Sequence, residues 1–202
     1  GDGMFPDFLE NPSDVAAPLL LGCTLTRTIT LNGEKHKLVA RIVETEAYDQ
    51  DDPASHAFGG PSERNAAMFG PAGHLYVYVS YGMHHCCNVV CGPEGFGSGC
   101  LVRAVEPLEG VEVMRELREA GRAYKHPLKL RDLTNGPGKV CAALGIDKEL
   151  YGHDLTVEPL VLDFAPLLPG KTIGCSPRVG ISKNADAPKR FFIEGNAFVS
   201  RA

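Results

Sequence analysis

The dipeptide Asn32-Gly33 constrains the fold more than any other feature of this sequence. It lies between two runs rich in β-branched and apolar residues, Cys23–Thr30 and His36–Ala47. Asn-Gly between two such runs is typical of a two-residue β-hairpin, because these residues readily adopt the left-handed backbone that the turn requires. The chain is therefore predicted to contain an antiparallel sheet.

Further strands and helices are predicted along the rest of the chain. Three strands extend the sheet or lie near it: Leu75–Val79, Cys86–Cys91 and Leu101–Val105. Shorter strands are expected at Leu160–Asp163, Arg178–Ile181 and Phe191–Ile193. Helices are expected after Asn11-Pro12, over Leu108–Ala120 and from Thr134 to Leu144, with one helical turn at Glu63–Phe69 in the loop-rich segment Asp49–Gly73. Strands with peripheral helices indicate an α+β fold.

Length and composition predict one domain spanning residues 1–202. With 202 residues and 44% hydrophobic residues, the chain can bury one substantial core. Gly1-Asp2-Gly3 is either a native start or a tag remnant. The sequence shows no apolar span of membrane length and no secretory signal, so a soluble intracellular protein without a membrane partner is expected. Seven cysteines without a CxxC pair predict buried, unpaired thiols.

The net charge of −5 argues at first against a nucleic-acid partner. The charge is unevenly distributed, however, because residues 115–139 carry seven basic against three acidic residues and residues 171–190 carry five against one. Phosphate attraction depends on the field within about 8–10 Å, so an acidic protein can bind DNA through one basic face. Solvated basic helix surfaces would explain the same runs equally well.

Glu44, Glu46 and Tyr48 form the first group that could carry chemistry. Alternation along a strand places these three side chains on one face. Such a face is either exposed to solvent or lines a cleft. In a cleft, one carboxylate could act as a general base towards water, and the tyrosine would supply a flat wall.

A second group is aromatic and follows the strand at residues 75–79. Tyr76 fits the core or a pocket equally well, whereas Tyr81-Gly82 ends the strand at a turn where a large ring can project. A projecting ring suits insertion into a base stack, because it compensates for the cost of extruding a base. Tyr78 and Asn88 belong to the same group.

Arg103 lies inside an apolar run and needs an anionic partner, because a buried unpaired charge is costly. Glu46, a DNA phosphate or a structural ion pair with Glu44 could each supply the anion. The turn Asn135–Lys139 places glycines and a lysine at a helix start, which is competent to bind phosphate, although many helices begin this way without a ligand.

His84-His85-Cys86-Cys87 has the composition of a metal site, but adjacent strand residues point to opposite faces. A structural zinc site is therefore disfavoured, and no metal or organic cofactor is expected. No lysine is plainly placed as a Schiff-base nucleophile, so a covalent lyase mechanism has no support.

Five motifs together resemble the alkyladenine (3-methyladenine) DNA glycosylase family. In the family's order, and over nearly the whole chain, they are Arg41–Tyr48, Leu75–Met83, Leu101–Leu108, Asn135–Lys139 and Arg178–Ile181. The resemblance implies a single α+β domain with a curved antiparallel sheet and a β-hairpin that projects into DNA. It also implies an enzyme that flips damaged purines out of duplex DNA and hydrolyses the N-glycosidic bond.

The resemblance assigns roles to individual residues. Glu46 matches the general base that activates water, and Arg103 with the backbone of Ile181 matches the groups that hold this water. Tyr81 matches the intercalating residue. The remaining matches are the base-binding residues Tyr48, His56, Tyr78 and Asn88, the last of which discriminates against the amino group of guanine, and the DNA-contacting residues Met83, Gly136 and Lys139. The spacing from Tyr48 to His56 is one residue shorter than the family pattern.

Two other functions remain open on the residues alone. A related β-rich fold occurs as an accessory domain of methionyl-tRNA formyltransferase, so a non-catalytic nucleic-acid-binding module is one alternative. A metal-dependent hydrolase using His56, His84, His85 and nearby cysteines is the other. For the glycosylase, the expected partner is double-stranded DNA containing damaged purines, the expected state is a monomer, and the expected location is the bacterial cytoplasm (nucleoid) or the eukaryotic nucleus.

Overall fold

The computed structural model describes residues 7–200, along which helices and strands alternate irregularly. The segment Gly1–Gly3 lies outside the described residues. The strands β1 to β8 are Thr24–Leu31, Glu34–Asp49, Leu75–Ser80, His84–Val90, Ser98–Glu109, Leu160–Asp163, Ile173–Ser176 and Arg190–Ile193. The α-helices α1 to α3 are Ser13–Leu19, Val111–Glu119 and Pro137–Leu144. Short 3-10 turns lie at Asp7–Glu10, Ala66–Phe69, Leu130–Asp132 and Lys148–Leu150.

All of these strands join one antiparallel sheet in which the long strand β2 is central. The main order is β3-β4-β5-β2-β1-β6. On the side of β2 away from β5, β1 pairs with the first half of β2, and β8 pairs with Glu44–Glu46 in the second half. β7 pairs with β8. The register of β2 against β5 shifts on both sides of Glu44, and such bulges bend a strand. The predicted α+β architecture with a curved antiparallel sheet is confirmed.

The two faces of the sheet differ in what covers them. One face packs on the helices, with Val77 and Val102 in the same core cluster as Ala16 and Val140. On the other face, Tyr76 and Tyr78 belong to a smaller cluster with Ala57 and Met68, from the loop-rich segment 50–73. Because side chains alternate along a strand, β3 contributes to both clusters. The second face is the one that carries the candidate site.

The hairpin at Asn32-Gly33 is confirmed, with φ of 51° and 80° at its two residues. Two other predictions were wrong. The segment Arg178–Ile181 lies in the loop between β7 and β8, where Gly180 has a left-handed backbone with φ of 73°, and the strand in this region is β7 instead. The helix predicted from Leu108 begins only at Val111, because β5 runs to Glu109 and Gly110 makes the break with φ of 81°.

Six of the seven cysteines are buried and all seven are free thiols, as the sequence predicted for most of them; Cys175 is the exposed one. No helix within residues 7–200 has the length and apolar character needed to cross a membrane.

Candidate active site

A cavity of about 370 Å³ opens on the sheet face that carries Tyr76 and Tyr78. Strands β2 to β5, the segment 54–68 and the loop 179–181 all contribute to its walls. The predicted site residues that line it are Glu46, Tyr48, His56, Tyr78, Tyr81, Asn88, Arg103 and Ile181. The fold thus brings together residues that are widely separated in the sequence, and the cleft interpretation of the Glu46 and Tyr48 face replaces the solvent-exposed one.

Glu46 is fully buried near the end of β2, and both of its carboxylate oxygens accept hydrogen bonds. The hydroxyl of Tyr48 donates to Oε1 and the backbone N–H of Val179 donates to Oε2, each over 2.8 Å. Nη1 of Arg103 lies 3.7 Å from Oε1. Both oxygens of Glu46 are therefore used as acceptors at the cavity wall, where a carboxylate could also accept a proton from water.

Arg103 joins Glu46 to a second buried carboxylate, Glu44. Nε of Arg103 donates to Oε2 of Glu44 over 3.1 Å, so both predicted protein partners are in contact with this guanidinium. Glu44 also accepts from Nε of Arg190 (2.6 Å) and from the backbone N–H (2.7 Å) and hydroxyl (2.8 Å) of Ser200. Glu44 does not line the cavity, so its role is to hold Arg103 in place.

Aromatic rings form the walls of the cavity. The rings of His56 and Tyr78 lie 4.3 Å apart between centroids, and Nδ1 of His56 shares a 3.0 Å hydrogen bond with the hydroxyl of Tyr76. Burial raises the pKa of Tyr76 to about 12 and raises the pKa values of Tyr48 and Tyr78 still further. These phenols therefore remain neutral, and the hydroxyl of Tyr48 keeps its proton to donate.

The pKa of His56 is lowered, first by burial and then by the nearby charge of Arg64. Its ring is consequently neutral at pH 7, and it packs against Tyr78 as a flat, uncharged wall. Within residues 7–200, no group of three or more His, Cys, Asp or Glu side chains is arranged to hold a metal ion. His84 is exposed whereas Cys86 and Cys87 are buried, so the four-residue run is not one cluster.

Asn88 and Met68 also line the cavity, and Met68 was not predicted from the sequence. Asn88 is 4% exposed, and its amide Nδ2 donates weakly to the carbonyl of Tyr76 over 3.4 Å. Met68 packs against Gly99 so closely that a Cβ at Gly99 would lie 2.8 Å from its sulfur. Met68 has no polar atom and follows a loop, so nothing in the sequence pattern distinguished it from an ordinary core residue.

The hairpin between β3 and β4 carries Tyr81 at its tip. The Tyr81 side chain is 90% exposed although it borders the cavity, and Met83 beside it is 73% exposed. Tyr81 adopts a left-handed backbone with φ of 53°, followed by Gly82 with φ of 73°. The predicted projection of this ring from a protruding hairpin is therefore present in the fold.

Of the predicted DNA-contacting residues, Met83, Gly136 and Lys139 do not line the cavity. Gly136 precedes α3, whose first residue, Pro137, does line it. Nζ of Lys139 donates to Oδ1 of Asn135 over 2.8 Å. A Cβ at Gly138 would lie 3.1 Å from Cβ of His84 in the protruding hairpin, so the start of α3 packs beside the hairpin.

The basic run 171–190 is only partly a surface feature. Arg178 and Arg190 are buried and form internal ion pairs, with Asp52 and Glu44 respectively. Of the remaining cations of this run, Lys171 and Lys183 are exposed to solvent and Lys189 is half-buried. The count of basic residues therefore overstated the positive surface that this segment offers to DNA.

Comparison with known proteins identifies the family. The family described as Methylpurine-DNA glycosylase (MPG) matches residues 7–197. Relatives named "Putative 3-methyladenine DNA glycosylase" include proteins of Nitrosospira multiformis, 47% identical over 96% of this chain and 92% of the relative, and Agrobacterium fabrum, 50% identical over 79% and 77%. A third, from Methanoculleus marisnigri, is 44% identical over 96% of each chain. This chain therefore belongs to the methylpurine-DNA glycosylase family.

Proposed function

We propose that this protein is a monofunctional DNA glycosylase that flips damaged purines out of duplex DNA and hydrolyses their N-glycosidic bond, leaving an abasic site. Family membership makes it a DNA glycosylase, and the names of its relatives favour 3-methyladenine among the substrates. The observation that carries the mechanism is Glu46, a fully buried carboxylate at the wall of a purine-sized cavity with both oxygens held by donors.

In this proposal Glu46 is the general base. As the glycosidic bond lengthens, the sugar gains oxocarbenium character, and Glu46 removes a proton from the attacking water. Arg103, 3.7 Å from Oε1 of Glu46, and the backbone of Ile181 hold this water. No step requires a covalent intermediate with a lysine or a cofactor.

The flipped purine is proposed to stack between Tyr48 and Tyr78, with His56 beside them. Electron-poor or cationic alkylated bases stack favourably on such neutral, electron-rich rings and are also better leaving groups. Asn88, which lines the cavity, is proposed to discriminate against bases that carry the amino group of guanine. The aromatic walls and Asn88 would thus select damaged purines by shape and charge together.

Tyr81 is proposed to fill the gap that the extruded base leaves in the stack, with Met83, Gly136 and Lys139 contacting the DNA around it. The expected form is a monomer, since one chain supplies every residue of this mechanism. The expected location is wherever the DNA is held, the bacterial cytoplasm or the eukaryotic nucleus.

The test is single-turnover excision from duplex oligonucleotides containing hypoxanthine, ethenoadenine or 3-methyladenine, with alkali revealing abasic sites. Glu46→Gln should bind the lesion as wild type does but excise it at least about 100-fold more slowly, because general-base catalysis is lost. Glu34→Gln makes the same charge change at an exposed residue and should excise normally. Excision by Glu46→Gln at the wild-type rate would refute the mechanism, and tight binding without release by wild type would favour a binding module.

A further inference from the structure

Arg178 lies directly behind one wall of the cavity. Its guanidinium carbon is 4.6 Å from the centroid of the Tyr48 ring. Tyr48 lines the cavity, whereas Arg178 does not. The cation therefore stacks on the face of the ring that points away from the cavity, and a bound purine would occupy the opposite face.

The same guanidinium connects three segments around the cavity. Nη1 donates to the carbonyl of Ala47 over 2.8 Å and forms an ion pair with Asp52, in the loop that continues to His56. Nη2 donates to the carbonyl of Asn184 over 3.3 Å, which closes the loop that carries Val179 and Ile181. Asp52 also accepts from the side chain of Asn184 over 3.2 Å.

One hydrogen-bond donor of Arg178 lies buried without a polar partner. The side chain is fully buried, and its Nε–H is the one buried side-chain polar atom within residues 7–200 that lacks a hydrogen-bond partner. A buried donor without a polar partner costs stability, and the face of the Tyr48 ring is the aromatic surface that this guanidinium contacts.

We propose that Arg178, paired with Asp52, is a positioning residue that fixes Tyr48 and sets the preference of the cavity between cationic and neutral purines. The inference rests on the proposed function and deepens it. A positive charge behind Tyr48 draws electron density of the ring away from the cavity and repels a cationic base on the other face. The carboxylate of Asp52 partly offsets this repulsion.

The two partners of the ion pair therefore have opposite effects on selectivity. Removing the cation with Arg178→Met should raise the ratio of 3-methyladenine to hypoxanthine excision about fivefold, because Asp52 then acts unopposed. Removing the anion with Asp52→Asn should lower the same ratio about threefold, because the cation then acts alone. A purely structural role would slow both lesions together and leave the ratio unchanged.

The experiment measures single-turnover release of both bases by wild type, Arg178→Met, Asp52→Asn and Arg178→Lys. The lysine variant keeps the charge but loses the planar fork, so its rates should fall while its ratio stays within about twofold of wild type. If Arg178→Met does not fold, the lowered ratio of Asp52→Asn beside the near-wild-type ratio of Arg178→Lys still decides. A wild-type ratio in Asp52→Asn, or in a folded Arg178→Met, overturns the inference, whereas an inactive wild type overturns the proposed function itself.

Discussion

Glu44 and Glu46 are two positions apart on β2, and their partners give them different chemistry. Glu44 accepts from two guanidiniums and from Ser200, so its lone pairs are used within the protein. Glu46 accepts one phenol and one backbone N–H at the cavity wall. Because a carboxylate has about four acceptor sites, Glu46 keeps capacity for a water molecule. Residue type alone did not separate these two roles.

His56 makes the stability of the protein depend on pH. Burial and Arg64 lower the pKa of its ring in the folded state. As pH falls below about 6.5, the unfolded chain binds a proton that the folded state refuses, so the free energy of unfolding decreases until the folded-state pKa is passed. Urea unfolding at pH 7.5 and 5.5 should show a larger loss for wild type than for His56→Gln. Equal losses would contradict this reading of His56.

Functional residues could be predicted from the sequence where their immediate neighbours in the chain set them apart. Glu46 and Tyr48 stood out because they share one face of a strand with Glu44, and Arg103 stood out because it lies inside an apolar run. The Arg178 and Asp52 pair was missed because its two members are 126 positions apart in the sequence and meet only in the folded chain. A run of basic residues looks the same in the sequence whether its side chains face solvent or the interior.

At the scale of elements, two substitutions in the protruding hairpin separate the contribution of the Tyr81 ring to excision from the cost of the left-handed backbone at this residue. Tyr81→Ser and Tyr81→Gly both remove the ring, so excision of a paired lesion should slow about tenfold or more in each, because nothing then fills the gap in the stack. The φ of 53° costs a non-glycine residue about 1 kcal/mol, so Tyr81→Gly should be more stable than Tyr81→Ser by about that amount.

Single-turnover kinetics on duplex substrate and urea unfolding test these two effects independently. Normal excision by both variants would show that the ring does not support flipping. Equal stability of the two variants would show that the left-handed backbone at position 81 relaxes without cost.

Long patterns predicted their elements, and of the three short strands predicted, Leu160–Asp163 and Phe191–Ile193 are present whereas Arg178–Ile181 is not. The β1–β2 hairpin and α3 were predicted because turn residues and periodicity agreed. Strand β7 was missed because Ile173–Ser176 contains a glycine and pairs only with β8, outside the main order of the sheet. Arg178–Ile181 has the composition of a strand, but the left-handed backbone at Gly180, with φ of 73°, is incompatible with an extended strand.

At the scale of the whole molecule, Glu44 connects β2, β5 and β8 to Ser200. Glu44→Gln would leave Arg103 and Arg190 buried with one anion fewer, which should cost about 3 kcal/mol and lower Tm by roughly 10 °C. Glu46→Gln makes the same change two residues later, where Arg103 keeps Glu44, and should lower Tm by much less. Calorimetry on both variants provides the comparison, and similar Tm values would argue against a special structural role for Glu44.

The buried thiols bear on how this protein survives the chemistry that creates its proposed substrates. Burial raises the pKa of Cys86, on the cavity wall, to about 11, and also raises the pKa values of Cys23 and Cys100. Methylating electrophiles that attack DNA bases also attack thiolates, whereas protonated thiols shielded by the core react poorly. Burial thus makes the Cys86 thiol at the candidate active site a poor nucleophile, and an alkylating reagent would reach Cys175 on the surface first.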